Sequence, residues 1–418
     1  MAAKYNPFRP NNMVGPGMFV GRIDELRTIA RCLFQAKNGN PQHFLAQGER
    51  GIGKSSLLFY VELLARGQVS AKCYDLFRFL VVSVDLAAAT TQLDIIRTMG
   101  RGLRQSLAGH HIAKAKATEF WDWITNWEIL GVKYHKPEED ADPAVVADDL
   151  VERLTGFSDS TKDVLDGIVL LIDEADRPSV DAGLGEFLKL LTERLARRQC
   201  LTIVIGLAGL PTILGKLRDS HESSPRLFET LLLEPLEFEE RKQVVTIGLA
   251  EANAKNDTIT EISDDALELL AELSEGYPHF VQQFAFSAFA QDTDNLIDDE
   301  DVYEGAFKDG GALSQLGDKF FNEMYHARIS SEDYRRVLDA MAEHGDEWVA
   351  RKNIIKESGV SEANVDNALG TLKVKEVILQ DETRRGFYRL PTNSFAAWIN
   401  ANKAARAKSD AVQGGAAG

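Results

Sequence analysis

The chain has 418 residues, of which 44% are apolar and 27% are charged, and its formal net charge is −17. This length exceeds what a single hydrophobic core supports, so we expect two or three domains. Residues 331–409 carry 13 basic and 12 acidic residues, so nearly all of the negative charge precedes them. Because attraction to phosphates sums over many charges, the balance excludes a large non-specific nucleic-acid surface and leaves room only for a small C-terminal DNA-reading module.

The sequence also bears on the compartment of the protein. It contains no run of about 18 apolar residues, and its N terminus lacks the apolar stretch of a signal peptide. Its three cysteines, Cys32, Cys73 and Cys200, are scattered in apolar surroundings without metal-ligand spacing. We therefore expect a cytoplasmic protein with reduced thiols and no membrane span.

The first predicted helix follows a segment that is rich in proline, asparagine and glycine and cannot itself be the interior of a helix or strand. Apolar residues recur at helical spacing from Ile23 to Leu33, and Asp24 and Glu25 stand in the first turn, where acidic side chains favour helix formation.

A phosphate-binding pattern, G-x-x-x-x-G-K-[ST], is matched at every fixed position by residues 48–55. An apolar run precedes it and an amphipathic run follows, which predicts the strand, turn and helix that this pattern requires. The glycines let successive amides point at phosphate oxygens, and the helix adds its positive dipole end. Lys54 would reach the β- and γ-phosphates, and Ser55 would offer its hydroxyl to Mg²⁺. The predicted ATP-binding residues here are Gly48, Gly51, Ile52, Gly53, Lys54, Ser55 and Ser56.

A β-branched run at residues 80–86 predicts a buried parallel strand. Residues of helical character follow, forming an insertion at about 88–165 that includes a polar surface loop at 136–143. The insertion contains a tryptophan cluster, which is either a partner-binding patch or, as we favour, a buried helix face. The cluster consists of Trp121, Trp123 and Trp127.

A second chemical motif lies at the end of another predicted strand, where five apolar residues, 168–172, precede Asp173 and Glu174. This pattern is typical of a Walker B strand, which is buried on both faces and projects acidic residues into a nucleotide cleft. Asp173 would hold Mg²⁺ through its water shell, and Glu174 would orient and activate the attacking water. Together with the phosphate loop, it predicts binding of ATP with Mg²⁺ and hydrolysis of ATP.

The stretch Phe19-Val20-Gly21-Arg22, followed by Asp-Glu-Leu and then the phosphate loop, resembles the nucleotide-binding entry of AAA+ and STAND-type ATPases, including the origin-recognition initiator branch. In that group the segment lies against adenine. The resemblance therefore implies that Val20, Gly21 and Arg22 contact the base or the phosphates.

The next predicted strand, residues 201–205, is followed by glycine and small apolar residues. AAA+ relatives usually carry a polar residue near this point that senses the γ-phosphate, so its absence predicts slow hydrolysis. Farther along, Arg226 lies where the resemblance implies an arginine finger aimed at a neighbouring subunit's nucleotide, with a role in catalysis. Arg218 is a competing candidate, and a solvated surface arginine is the alternative.

A helical lid is predicted next, with helices in residues 241–252 and 263–273 and a third that Gly276-Tyr277-Pro278 opens. Proline is favourable in the first turn of a helix. The tripeptide also resembles the Gly-x-Pro motif of STAND ATPases, whose proline packs on adenine, so Pro278 is a predicted nucleotide contact. His279 either touches phosphate or caps the turn.

A glycine-rich linker is predicted at residues 305–317, and a winged helix follows it. Three helices are expected at residues 334–343, 349–358 and 361–374, followed by a two-stranded ribbon at 377–380 and 387–390. The outward residues of the third helix are acidic or neutral, so we favour protein contact, or folding back on the core, over DNA binding. The basic candidates for DNA are Arg351, Lys352, Lys356, Arg384 and Arg385.

The resemblance implies an α/β fold of the AAA+ P-loop NTPase type, with a parallel-sheet core, a helical lid and a C-terminal winged helix. We expect an adenine-contacting segment at 1–20, the core at 21–236, the lid at 237–310, the winged helix at 325–402 and a disordered tail at 403–418.

The favoured function is a slow ATPase that acts as a nucleotide-dependent switch with protein partners and forms homo-oligomers with ATP. One alternative is a DNA-binding initiator or loader, and another is a nucleotide-binding protein that does not hydrolyse ATP.

Overall fold

The computed structural model describes residues 4–71, 74–87, 91–126, 143–308, 310–322, 325, 331–375, 377–381, 384–400 and 402–403. The chain divides into two units, Met13–Glu234 and Met1–Asn12 with Pro235–Gly418. The predictions for Cys73, Trp127, the loop at 136–142 and the tail from residue 404 lie outside the described residues.

The unit Met13–Glu234 is built on a five-stranded sheet in the order β2-β3-β4-β1-β5, and every neighbouring pair is parallel. Strands β3 and β4 lie inside the sheet and are buried almost throughout, which explains why their sequences are almost entirely apolar. The predicted parallel α/β core is therefore confirmed. The strands are β1 His43–Gln47, β2 Phe79–Asp85, β3 Gly167–Asp173, β4 Ile203–Gly209 and β5 Phe228–Leu232.

Helices cover this sheet and also form the described part of the predicted insertion. Gly102 allows α3 to approach β2 closely, because a Cβ atom there would lie 2.4 Å from Cγ1 of Val84. The helices are α1 Ile23–Lys37, α2 Lys54–Ala65, α3 Gln92–Ala108, α4 His111–Lys116, α5 Thr118–Asn126, α6 Pro143–Thr161, α7 Leu184–Arg197 and α8 Ile213–Ser220.

The described part of the tryptophan cluster lies on a partly buried helix face. Trp121 and Trp123 are partly buried against the core beside fully buried Phe120. The indole N–H of Trp123 donates to Oδ2 of Asp149 at 3.0 Å. Because these rings are engaged inside the unit, the structure favours the packing interpretation over a partner-binding patch.

In the second unit, the N-terminal segment packs on a helical lid. Phe8 is buried beside Phe289, and the amide of Arg9 donates to Oε1 of Gln282 at 2.8 Å. Residues 4–9 of the predicted adenine-contacting segment thus contact lid residues. The lid elements are α9 Phe238–Asn253, β6 Glu261–Ile262, α10 Asp264–Leu273, α11 Pro278–Gln291, β7 Leu296–Ile297, α12 Asp299–Phe307 and α13 Ala312–Leu316.

The prediction of a linker at residues 305–317 is wrong. Helix α12 extends to Phe307, and α13 buries Leu313 and Leu316. Gly305 supports close packing rather than flexibility, because a Cβ atom there would lie 2.8 Å from the amide nitrogen of Ala288. The glycine content of this segment therefore reflects close approach of backbones.

Among the described residues of the C-terminal region, three helices and a small antiparallel sheet form the arrangement of a winged helix, and one more helix follows them. The sheet has three strands, in the order β8-β10-β9, instead of the predicted two. Val349–Ala350 forms the extra strand β8, so the second helix begins only at Arg351. The elements are α14 Glu332–Ala342, β8, α15 Arg351–Ser358, α16 Glu362–Val374, β9 Leu379–Gln380, β10 Phe387–Arg389 and a last helix, α17, described over residues 393–400.

The described helices and cysteines bear on two expectations, a chain without a membrane span and reduced thiols. None of the described helices combines the length and apolarity that crossing a bilayer requires. Cys32 and Cys200 are buried free thiols, and burial raises the pKa of Cys32 to about 12. Since the thiolate is the reactive form of cysteine, Cys32 has the properties of an inert core residue.

Candidate nucleotide-binding site

The loop between β1 and α2 has the backbone that a phosphate-binding loop requires. Gly51 and Gly53 have φ values of 83° and 98°, which favour glycine. A Cβ atom at Gly48 would lie 2.8 Å from Cγ2 of buried Ile52. The glycines therefore produce the tight turn that precedes the N terminus of α2.

Lys54, the first residue of α2, extends its side chain back along this loop. Its Nζ donates to the carbonyl oxygens of Gly48 and Glu49, each at 2.8 Å. Burial lowers the pKa of the Lys54 ammonium, and the nearby carboxylates of Asp173 and Asp176 act in the opposite direction. The loop thus holds a partly desolvated cation at its centre.

The two predicted motifs meet at Ser55 and Asp173. The Ser55 hydroxyl donates to Oδ2 of Asp173 at 2.5 Å. Among the described residues no cluster of three or more His, Cys, Asp or Glu side chains could hold a metal. A hydroxyl with one carboxylate nevertheless suits Mg²⁺, which takes its remaining ligands from phosphate and water.

Glu174 lies at the exposed end of β3 in a strained backbone conformation. Its φ is 54°, unusual for a residue with a side chain, and its amide donates to Oδ1 of Asp173 at 2.8 Å. The Glu174 carboxylate forms an ion pair with Arg177, one turn ahead. The two neighbouring carboxylates thus have different partners, because Asp173 accepts from Ser55 whereas Glu174 pairs with Arg177.

Two further carboxylates lie beside this site, and sequence reasoning assigned them no role. Asp85 ends β2 in register with Asp173 of β3, and burial together with Asp173 raises its pKa. Asp176 accepts the amide N–H of Leu210 at 2.9 Å, just after β4. The sequence could have indicated Asp85, because it is an acidic residue at the end of a predicted strand. The hydrogen bond between Asp176 and Leu210 depends on the tertiary fold and could not be predicted.

The segment before α1 contributes mainly structural contacts. Val20 is buried, and Gly21 and Arg22 have φ values of 72° and 61°. The Arg22 guanidinium donates to the carbonyl oxygens of Ile52 at 3.3 Å and Glu234 at 2.5 Å. The segment therefore contacts the phosphate loop directly, and base binding by these three residues stays a prediction.

The remaining predicted residues are distributed more widely. The Ser56 hydroxyl accepts the amide N–H of Val14 at 3.4 Å. Arg226 is exposed in the short turn Ser224–Leu227, and its side chain forms no hydrogen bond or ion pair with any described residue. Pro278 is the first residue of α11, in the other unit. The roles of these three residues stay predictions.

Comparisons with known proteins agree with this geometry. Residues 18–205 match the family described as AAA ATPase domain. An uncharacterised HTH-type transcriptional regulator of Methanocaldococcus jannaschii is 25% identical over 281 residues, which are 66% of this chain and 64% of that protein.

Solved structures resemble the chain over most of its length. A Walker-type ATPase of Pyrococcus abyssi has a TM-score of 0.58 at 17% identity, covering 91% of this chain and 96% of that chain. The ORC2 protein of Aeropyrum pernix, solved in ADPNP-ADP complexes, has a TM-score of 0.57 at 15% identity, covering 97% and 99%. At these identities the likeness establishes the fold.

Proposed function

We propose that this protein binds MgATP, hydrolyses it slowly and uses the bound nucleotide as a switch for a protein partner. The match of residues 18–205 to the AAA ATPase domain family supports the proposal. The hydrogen bond between Ser55 and Asp173 carries this proposal. It brings the phosphate motif and the acidic strand end to one point, as a triphosphate with its metal would require.

In this proposal the loop residues supply binding and charge neutralisation. Backbone amides from Gly48 to Ser55 and the positive end of α2 would bind phosphate oxygens. Lys54 would exchange its loop carbonyl partners for the β- and γ-phosphates. Ser55 and Asp173 would hold Mg²⁺, which supplies neutralisation of the phosphate charge when bound.

Glu174 would orient the water that attacks the γ-phosphate and accept its proton, yielding ADP and phosphate. Two observations support a slow rate. The Glu174 carboxylate forms an ion pair with Arg177, which competes with its role as a base for the attacking water. In addition, β4 ends at Gly209 with no polar side chain, and the following amide of Leu210 is bonded to Asp176.

The charges of the winged helix support a protein partner over DNA. Arg351 forms ion pairs with Glu362 and Asp366 of α16, the helix that would enter a DNA groove. These contacts raise the pKa of the Arg351 guanidinium through its hydrogen bonds to Asp366 and Glu362. A guanidinium committed to two carboxylates is a poor phosphate ligand, and the acidic helix itself would repel the backbone of DNA.

An ATP-dependent homo-oligomer is part of the same proposal. Arg226 is exposed and could reach a nucleotide on another subunit, where its guanidinium would offset developing charge. Mass photometry with ADP and with a non-hydrolysable ATP analogue tests this. We expect a larger mass with the analogue, and an unchanged mass would remove the role of Arg226 across subunits.

A second candidate is a DNA-binding ATPase, favoured by the surface of the wing. The guanidinium carbons of Arg384 and Arg389 lie 6.0 and 5.0 Å from the ring centroid of Trp348, and Arg385 is exposed. Each of the first two also has an acidic partner, Asp381 and Asp346 respectively. The relative named as an HTH-type transcriptional regulator adds support to this candidate.

Two measurements test these functions. Calorimetry with MgATP should give a heat of association for the wild type and none for Lys54→Ala, and absence of heat in the wild type would contradict nucleotide binding.

Fluorescence anisotropy of duplex DNA with MgATP at two salt concentrations should show no strong salt-dependent binding. Salt-sensitive binding that Arg384→Glu with Arg385→Glu abolishes would make the second candidate the better one.

A further inference from the structure

Arg22 occupies an unusual place at the start of α1. It is the N-cap residue of the helix, and both it and Gly21 have left-handed backbone conformations, with φ values of 61° and 72°. Such a conformation is unfavourable for a residue with a side chain, and it persists only where the surroundings fix it. The Arg22 side chain is only 9% exposed, so it is fixed inside the structure.

The guanidinium joins two parts of the backbone that are far apart in sequence. One nitrogen, Nη2, donates to the carbonyl oxygen of Ile52, inside the phosphate loop, and to that of Glu234. Glu234 is the last residue of the unit Met13–Glu234. The other terminal nitrogen lies 3.6 Å from Oε1 of Glu25, which orients the fork.

The segment that ends at Glu234 also runs directly beside the phosphate loop. The amide of Leu233 donates to the carbonyl oxygen of Gln47 at 2.8 Å, and a Cβ atom at Gly48 would lie 3.0 Å from the Leu233 carbonyl oxygen. If the phosphate loop moves at Ile52, we expect Nη2 of Arg22 to move with it. The same nitrogen is hydrogen-bonded to the carbonyl oxygen of Glu234. Planar guanidinium groups suit this task, because their several donors have fixed relative directions.

We propose that Arg22 is a positioning residue that relays the conformation of the phosphate loop to the point where the chain leaves the ATPase core, and that it acts in this way instead of making the nucleotide contact predicted for it from the sequence. The inference rests on the proposed nucleotide switch and names its first mechanical step. Binding of phosphate reorders the loop amides, the carbonyl of Ile52 moves with them, and Arg22 transmits that movement to Glu234. The next residues, from Pro235, begin the lid unit.

The test compares full-length wild type with Arg22→Gln and Arg22→Lys. Glutamine removes the fork, whereas lysine keeps the charge for Glu25 but offers no planar pair of donors. Arg27→Gln is the matched control, since Arg27 is an exposed arginine of the same helix that pairs only with Asp24 among described residues. Calorimetry measures MgATP affinity, and hydrogen exchange of residues 235–253 with and without MgATP measures the response of the lid. Thermal unfolding confirms that each variant is folded.

We expect wild type and Arg27→Gln to bind MgATP and to show nucleotide-dependent protection of residues 235–253. Arg22→Gln should keep its MgATP affinity to within about fivefold and lose that protection, and Arg22→Lys should recover only part of it. Protection that survives in Arg22→Gln would overturn the relay.

Other results overturn the inference in distinguishable ways. A fall in MgATP affinity of about 100-fold in Arg22→Gln would make Arg22 a nucleotide ligand and leave the proposed function intact. Wild type that binds MgATP without any protection of residues 235–253 would remove the switch as well as the relay. Wild type that binds no MgATP would remove the proposed function itself.

Discussion

The Ser55 hydroxyl donates a hydrogen bond of 2.5 Å to Asp173, although 118 positions separate the two residues in the chain. Ser55 lies in the first turn of helix α2 and Asp173 ends strand β3, and the parallel sheet places both at the carboxyl ends of its strands. Nucleotide sites of open α/β sheets lie at this edge.

Asp173→Asn should weaken binding of MgATP more than binding of ATP without metal, because the substitution removes the negative charge that holds the cation. We expect MgATP affinity to fall by roughly 10- to 100-fold. Calorimetry with and without Mg²⁺ measures the difference. Asp24→Asn is the control, since Asp24 is highly exposed on α1. An equal loss for both forms of ATP would mean that Asp173 supports the fold of the loop and does not hold the metal.

Glu174→Gln should abolish most hydrolysis while leaving affinity unchanged, because glutamine keeps the shape but cannot accept a proton. A loss of about 10²- to 10⁴-fold in the rate of phosphate release is expected. Equal rates in wild type and variant would exclude Glu174 from catalysis.

Arg177→Ala should raise the hydrolysis rate, because it frees the Glu174 carboxylate from its ion pair. Half-exposed pairs of this kind contribute at most about 1 kcal/mol, so the increase should not exceed about fivefold. The assay is phosphate release at saturating MgATP. A decrease would show instead that Arg177 orients Glu174 for reaction.

His43 should make the protein less stable in mild acid. Burial lowers its pKa from 6.5 to about 4, and its Nδ1 accepts the amide N–H of Ile205 at 3.2 Å. Between pH 6.5 and pH 4 the unfolded chain therefore binds a proton at His43 that the native state does not, and the free energy of unfolding falls as pH falls. From pH 7 to pH 5 the loss from this group should be roughly 2 kcal/mol.

Urea unfolding at these two pH values measures the effect. His43→Asn cannot titrate in this range, so its stability should depend less on pH than that of wild type. Exposed His111 provides the control through His111→Asn. If wild type and His43→Asn lose the same stability, His43 does not contribute to acid sensitivity.

Glu275 should act in the opposite direction on pH. Its carboxylate accepts the amide N–H groups of Asn393 and Ser394 at 2.7 and 2.6 Å, at the start of α17. Burial raises the pKa of Glu275 above its ordinary 4.5, and the amides only partly oppose this. Glu275 therefore binds its proton more tightly in the native state than in the unfolded chain. Its contribution to the free energy of unfolding is lost as pH rises through the native pKa.

Glu275→Gln should remove this pH dependence, and Glu275→Ala should destabilise α17 by about 0.5 to 2 kcal/mol through loss of its cap. Urea unfolding from pH 4.5 to pH 7 measures both effects, followed by the tryptophan fluorescence of the chain, to which Trp398 contributes from α17 in contact with Phe395. Glu272→Gln is the control, since Glu272 is an exposed glutamate of the preceding helix. An unchanged pH profile in Glu275→Gln would contradict the assignment.

Local patterns were sufficient to predict much of the fold and part of the site. The phosphate loop and the acidic strand end are contiguous segments, and their glycines, lysine and carboxylates are required at fixed spacing by the chemistry. Strands β3 and β4 were visible because parallel strands inside a sheet are apolar on both faces, and the edge strand β2 was visible as a β-branched run.

Two predictions from local sequence were wrong because tertiary packing determined the structure of those segments. The glycines near residue 311 predicted a linker, yet α13 buries Leu313 and Leu316. Val349 and Ala350 were assigned to a helix, but they pair with β10 and add a third strand to the wing. A two-residue strand has too little periodicity to be read from sequence, since its identity depends on the partner strand.

The amino-acid sequence by itself determined where the phosphate-loop pattern and the acidic strand end lie, because each depends only on neighbouring residues, and it predicted a metal-binding role for Asp173 and a water-orienting role for Glu174. Only the tertiary structure decided that Asp85 lies beside Asp173, that Asp176 holds the end of β4, and that Arg22 joins Ile52 to Glu234. The physical reason is that strand order and backbone approach fix which distant groups can share a hydrogen bond. No local pattern records those distances.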